Sequence, residues 1–434
     1  MNVTTGNWRP LLEGELAARA EEAVHAIADA LAARALDAPD VEGRSFGFSV
    51  GNGTAGQALF YGYLAKSGNG ASARHAEQSD RFLEHAVDAL ATSPVSPGLY
   101  GGFTGVAWLA EHLGEPDTDG DDMNEEVDET VLAMLDAPWN GHYDLITGLV
   151  GLGVYALERV PRPSAVRCLE AIVDRLHETA ERLGDGGITW FTFPEMLPPR
   201  HRAMYPRGYH NLGVAHGIPA VIGFLADAWR LGIRPERARP LLEGAVRWIL
   251  SRQLPEGAGG RYSTLILPDG GETPPARLAW CYGDPGVAAT LLYAARATGN
   301  EEWERAALDI ASHAATTAPE EAGVRDAGLC HGALGLAHMY NRFYQAGGGE
   351  LFADAARSWY RQGLDMRRPE RGIAGFESWE LGPDMQMGWR TDPGLMTGAA
   401  GVGLALLAGL TSVEPRWDRL LMVAIPPRDR GESP

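Results

Sequence analysis

Two short stretches hold the side chains best suited to chemistry in this 434-residue chain. One is Leu329-Cys330-His331-Gly332-Ala333-Leu334-Gly335; the other is Trp280-Cys281-Tyr282-Gly283-Asp284-Pro285-Gly286. Both read Cys-x-Gly-x-x-Gly and lead into a short apolar run. The chain has three cysteines, and two of them stand at the same place in this frame. Two thiolates and an adjacent imidazole suit Zn²⁺, which takes tetrahedral sulfur and nitrogen ligands and keeps an open position when catalytic. Cys281, Cys330 and His331 are therefore a candidate three-ligand metal site. The competing reading makes the two cysteines small apolar core residues; matched register and the neighbouring His331 favour the metal. Cys168, on an amphipathic stretch without a partner, reads as core or a free thiol.

The Gly-x-x-Gly frame is a repeat. It recurs at Gly53/Gly56, Gly102/Gly105, Gly148/Gly151, Gly283/Gly286, Gly332/Gly335 and Gly398/Gly401, with a seventh copy at Gly217 whose second position is Ala220. Each copy precedes a segment poor in charge, so seven buried helices are expected over Gln57–Leu64, Val106–Leu113, Leu152–Val160, Val221–Leu231, Val287–Thr298, Leu336–Tyr344 and Val402–Leu410. Amphipathic helices rich in Ala, Glu and Arg alternate with them, as at Leu11–Leu36, Ser72–Thr92, Ser164–Leu183, Pro235–Gln253, Glu301–Thr316 and Glu350–Leu364. Asp121–Leu135 supplies the remaining one. Open solenoids keep a tight period and need capping repeats, whereas these spacings are irregular. The pattern fits an all-α fold, a closed α/α toroid of seven inner and seven outer helices in one domain spanning 1–434. Glycine at each inner-helix entry would let backbones crowd and permit φ > 0, with all seven loops opening on one face.

Composition sets the remaining bounds. At 45% hydrophobic and 22% charged residues, the chain can bury a large core without disulfides. An odd cysteine count suits a reducing compartment. No signal peptide or membrane span is visible, so a cytoplasmic protein is expected. A net charge of −20 with no basic, aromatic-interleaved stretch argues against nucleic acid. The acidic run Asp117–Glu129 reads as solvated surface, and the tail 426–434 as disordered. Gly51-Asn52-Gly53-Thr54-Ala55-Gly56, after the strand-like Phe46–Val50, matches a dinucleotide fingerprint. That fingerprint needs a βαβ unit with an acidic residue downstream, and the chain continues into helix, so the nucleotide site is rejected.

Repeat register brings further residues together. Just before the first glycine of each frame stand Asn52, Gly101, Thr147, His216, Tyr282, His331 and Thr397. Equivalent loops on one face would gather Cys281, Cys330, His331 and His216. His216 also reads as a capping or core histidine, and Asp144 as the cap of a helix starting near Leu145. Arg277 reads equally as surface, Tyr282 and Trp280 as packing residues, and Tyr209 and His210 as core.

The stretches Tyr209-His210-Asn211-Leu212-Gly213-Val214-Ala215-His216-Gly217-Ile218-Pro219, Trp280-Cys281-Tyr282-Gly283-Asp284-Pro285-Gly286 and Cys330-His331-Gly332 together resemble the lanthionine synthetase C-like (lanthipeptide cyclase) family. Through the seven frames the resemblance covers nearly the whole chain. It implies an α/α toroid with one zinc ion per chain, held by Cys281, Cys330 and His331. It also implies His216 as acid/base histidine, with Asp144, Arg277 and Tyr282 as further active-site residues. The implied partner is a dehydrated lanthipeptide precursor, with a separate dehydratase and an exporter as further partners.

The implied reaction adds a peptide Cys thiol to dehydroalanine or dehydrobutyrine, giving a thioether ring. Three rivals differ in testable ways. A zinc prenyltransferase would need a diphosphate-binding basic cluster, and none is seen. A noncatalytic glutathione-binding relative would bind zinc and thiol without cyclising. A glycoside hydrolase on a toroid would need paired carboxylates such as Asp144 and Asp284, leaving Cys281 and Cys330 without a role.

Overall fold

The computed structural model describes residues 8–36, 47–68, 70–92, 95–114, 122–269, 273–382 and 386–427. Apolar helices follow all seven frames: α2 (Thr54–Lys66), α4 (Phe103–Leu113), α6 (Leu149–Glu158), α9 (Ile218–Arg230), α11 (Asp284–Thr298), α13 (Ala333–Phe343) and α15 (Ala399–Leu410). Between them run α1 (Gly14–Ala32), α3 (Ser72–Thr92), α5 (Glu125–Leu135), α7 (Pro163–Thr179), α10 (Pro235–Leu250), α12 (Glu301–Ala315) and α14 (Glu350–Asp365), with a short α8 at Pro199–Met204. Strands are confined, among the described residues, to three two-stranded antiparallel sheets. These are β1 (Glu181–Arg182) with β2 (Ile188–Thr189), β3 (His210–Asn211) with β4 (Leu265–Ile266), and β5 (Ser378–Leu381) with β6 (Met387–Arg390).

The two helix types differ as their patterns require. On α7 the buried residues are Ala165, Cys168, Leu169, Ile172, Val173 and Leu176, a 3- and 4-residue rhythm that makes one apolar stripe. On α15 every residue from Ala399 to Gly409 is buried, so that helix has no solvent face.

The chain divides into two compact units, 1–95 with 315–418 and 424–434, and 96–314 with 419–423. In the first, α13, α15 and α2 pack in succession, α3 lies on α2, α14 on α13, and α1 covers α14 and α15. The last apolar helix thus packs on the first, which an open repeat array would not do. In the second unit α4, α6, α9 and α11 pack in succession, with α7 on α5 and α6 and α10 on α7 and α9.

Four expectations are corrected. The glycine opening each frame is extended in six copies, with φ between −100° and −137°; only Gly283 is positive, at φ +100°. The common requirement is space: a Cβ on Gly335 would strike the carbonyl oxygen of Leu329, and one on Gly401 that of Leu395. Residues 47–50 form turns, not a strand; Phe46 lies outside the described residues. In the acidic run, Asp128 is fully buried and pairs with buried Arg159 at 2.8 Å, while Asp122 pairs with the same guanidinium at 2.6 Å; residues 117–121 lie outside the described residues. Helix α6 starts at Leu149, not near Leu145. Of the expected disordered tail, 428–434 lie outside the described residues, and half-buried Pro426 and exposed Pro427 are described.

Candidate active site

The turn before α6 places Asp144. Its Oδ1 accepts hydrogen bonds from the Thr147 backbone N–H (2.8 Å) and Oγ1 (3.2 Å), and the side chain is almost wholly buried. Its Oδ2 faces His216 Nδ1 at 2.5 Å, from the loop that enters α9. Burial pushes the Asp144 carboxyl up, but the hydrogen bond and charge of His216, with the Thr147 N–H, hold it below its ordinary value. For His216, burial disfavours the imidazolium; the hydrogen bond and charge of Asp144, with the Cys281 sulfur nearby, outweigh it and raise the pKa. The imidazole keeps 44% exposure. With Nδ1 engaged, Nε2 is the nitrogen left to meet a substrate.

The loop into α11 brings Cys281 and Tyr282. Ala215 donates its backbone N–H to the Cys281 carbonyl, which ties this loop to the one bearing His216. Asn211 Nδ2 donates to Tyr282 Oη at 3.3 Å, while Asn211 Oδ1 accepts from Gly213 N at 2.9 Å. A Cβ at Gly213 would collide with the Tyr282 ring and the Cys281 carbonyl, so glycine there lets the two loops touch. Trp280 is buried with its Nε1 donating to Leu421 O, the packing role expected of it. Arg277 is exposed, and among the described residues it has no hydrogen bond or ion pair with the other candidates.

The loop into α13 carries Cys330 and His331. Cys330 N donates to Met396 O at 2.8 Å. His331 Nε2 lies 3.7 Å from Oδ2 of Asp326, a fully buried carboxylate. Asp326 Oδ1 accepts from Gly328 N and its Oδ2 from Trp379 N, so its position is fixed by backbone. Such outer carboxylates orient metal-ligating histidines. This loop thus offers one sulfur and one nitrogen, Cys330 and His331, and the loop into α11 offers the sulfur of Cys281. Two sulfurs and one nitrogen, with a fourth position left over, are the donor chemistry of a catalytic zinc site.

Cys168 stays apart, buried in α7, its thiol pushed up to about 12 by burial and the Asp128 charge. His210 pairs with Glu181 at 2.8 Å, and Tyr209 packs with Leu197 and Leu265. The positions that sequence reasoning missed are Asn211 and Asp326. Their signal was register: Asn211, Asp326 and Asp392 all stand six residues before the first glycine of their frames, and each accepts the N–H two residues on.

The profile of the family described as "Lanthionine synthetase C-like protein" matches residues 45–422. The nisin biosynthesis protein NisC of Lactococcus lactis subsp. lactis is 24% identical over 282 residues, covering 61% of this chain. That match spans 66% of the length of the relative. A solved structure of nisin cyclase superposes with a TM-score of 0.74 at 21% identity, covering 95% of this chain and 98% of that one. The likeness shows the fold, a mostly helical α/α toroid. A match over nearly the whole chain, on a fold shared from end to end, makes this protein a member of the lanthionine synthetase C-like family.

Proposed function

We propose that this protein is a zinc-dependent lanthipeptide cyclase, a single catalytic domain that adds peptide cysteine thiols to dehydroalanine or dehydrobutyrine. The observation that carries the reading is the His216–Asp144 pair in a chain that matches the family over residues 45–422, with Cys281, Cys330 and His331 as the zinc donors. A zinc ion held by these three donors would supply a thiolate near neutral pH from a thiol whose pKa is otherwise ~8.5.

The chain's own residues account for the proton. As the thiolate sulfur bonds to the β-carbon, the alkene π pair moves onto the α-carbon and its carbonyl, giving an enolate. That carbon must then take a proton, and the thiol's proton must leave, so the reaction is an addition with no atom lost. His216, held protonated by Asp144, donates from Nε2, and Tyr282 and Arg277 stabilise the developing negative charge. Asp144 keeps Nδ1 protonated and the ring oriented. The substrate class is a precursor peptide already dehydrated elsewhere, by a separate dehydratase, with an exporter downstream. No helix among the described residues is long and apolar enough to cross a membrane, which fits a cytoplasmic or peripheral enzyme.

The deciding measurement is zinc content of the purified protein beside its activity on a dehydrated peptide. About one zinc per chain, lost in Cys330→Ala together with thioether formation, is expected. A wild type that takes up no zinc when purified with the metal would sink the cyclase reading.

A further inference from the structure

Six residues before the first glycine of a frame lies a position that the fold uses in the same way in several copies. A Cβ on Gly148 would strike the carbonyl oxygen of His142, one on Gly217 that of Asn211, and one on Gly283 that of Arg277. The backbone there is held against the frame, and only the side chain is left to differ. Gly47 and Ser96, in the same register, have little or no side chain to offer. Asn211, Asp326 and Asp392 fold back to accept the N–H two residues on. That leaves His142 and Arg277, whose side chains make no hydrogen bond among the described residues.

The surroundings of these two differ. Arg277 is exposed. His142 is half-buried, with its Nδ1 4.0 Å from Oδ2 of Asp144, the oxygen that His216 Nδ1 meets at 2.5 Å. The other Asp144 oxygen is taken by Thr147. Two imidazoles therefore approach one buried carboxylate oxygen. At 4.0 Å the His142 contact is too long for a hydrogen bond, so Asp144 orients His216 and leaves His142 its donor capacity. The main chain beneath the His142 ring is fixed, because its carbonyl accepts from Trp139 Nε1 at 2.9 Å and from Leu149 N at 3.1 Å.

We propose that His142 is a further catalytic residue, the donor that holds the enolate oxygen while His216 protonates the α-carbon; this rests on the cyclase reading. The two tasks need two groups. The enolate carries most of its charge on oxygen, whereas the proton must reach carbon, so a donor engaged at one atom cannot serve the other. With Nδ1 toward Asp144, His142 presents Nε2–H to the substrate as His216 does. Its hydrogen bond strengthens as the π pair moves onto the carbonyl oxygen, and relaxes when the proton from His216 bonds to the α-carbon and the carbonyl re-forms. His142 keeps its own proton throughout, so the balance of the addition is unchanged. A donor aimed at charge that develops in the transition state speeds the chemical step rather than tightening binding.

The test uses the zinc-loaded full chain. In His142→Phe, kcat for cyclisation of a dehydrated peptide should fall about 10²- to 10³-fold, the usual worth of one oxyanion donor, with KM nearly unchanged. His142→Gln, whose amide returns an N–H near the Nε2 position, should recover about tenfold or more of that loss. A Phe variant with wild-type kcat, or a Gln variant no faster than the Phe variant, overturns the proposal. Should His142→Phe lose its circular dichroism spectrum, His142→Ala takes its place with the same expectations. A second readout needs no turnover. With histidine labelled by ¹³C at Cε1, N-acetyl-dehydroalanine methylamide is titrated in and followed by NMR, the signals being assigned by their loss in His142→Gln and His216→Ala. Both signals should shift along one saturation curve, and a silent His142 counts against its place in the site. Shifts of both in a protein that forms no thioether would keep His142 in the site and remove the cyclase, and thioether formation with His142 silent would do the reverse.

Discussion

At the scale of single residues, the pair His216–Asp144 makes the sharpest claim. In the proposed reaction, the proton that a buried carboxylate at 2.5 Å holds on His216 is the one given to the enolate. His216→Ala should therefore lower the cyclisation rate by about 10²- to 10⁴-fold, the usual worth of a general acid, with zinc content unchanged. Asp144→Asn keeps the shape but removes the charge that raises the His216 pKa. Its rate should fall less, and the alkaline limb of its pH–rate profile should move to lower pH, because the imidazolium is lost sooner as pH rises. A variant profile superposing on the wild type would show that Asp144 does not hold that proton. Sequence alone displayed Cys281, Cys330, His331 and His216, since reactive side chains in matched register are unusual. It did not display Asn211 or Asp326. An Asn or Asp before a glycine looks like ordinary turn chemistry, and only the fold shows that the second oxygen or nitrogen of each reaches Tyr282 or lies near His331.

At the scale of elements, the seven apolar helices were legible because few charges interrupt them, and the alternating helices because their apolar stripes follow the helical period. The reason for the glycines was not legible. A repeated glycine before a helix invites a positive φ, yet six of the seven are extended. What the repeat demands is room for the preceding loop's carbonyl to lie on the helix, a tertiary contact invisible in one dimension. Gly335 has that contact with Leu329 and Gly401 with Leu395. Gly335→Ala should accordingly destabilise the protein by about 1–3 kcal/mol, the cost of overpacking, despite alanine's higher helix propensity. Denaturant unfolding measures it. A neutral or stabilising Gly335→Ala would return the glycine to a role in the unfolded chain or in the turn.

At the scale of the whole molecule, two electrostatic effects oppose each other as pH falls. The net charge of −20 shrinks toward zero near the sequence pI of about 5.0, which relieves self-repulsion. Against this stand acids buried in ion clusters. Burial raises the Asp418 carboxyl, but Arg342 and His338 hold it below its ordinary 3.8; burial likewise opposes, and His112 and Arg419 outweigh it, at Glu158, below 4.5. His338 moves the other way in charge but the same way in pH. Burial disfavours its imidazolium more than Asp418 supports it, so its pKa lies below 6.5. Each of these groups is more acidic folded than unfolded, so the unfolded chain binds protons first and stability falls as pH falls. The His338 part begins to go below 6.5, the carboxylate part below about 4.5. Relief of exposed charge is weak and screened, whereas breaking one buried pair costs about 3–5 kcal/mol, so the clusters should decide the outcome. Unfolding free energy measured from pH 8 to pH 3 should decline gently to about 4.5 and steeply below it. In Asp418→Asn the plateau should drop and the acid slope flatten. Stability that rises continuously down to pH 4 would mean that surface repulsion, not the buried clusters, governs this fold.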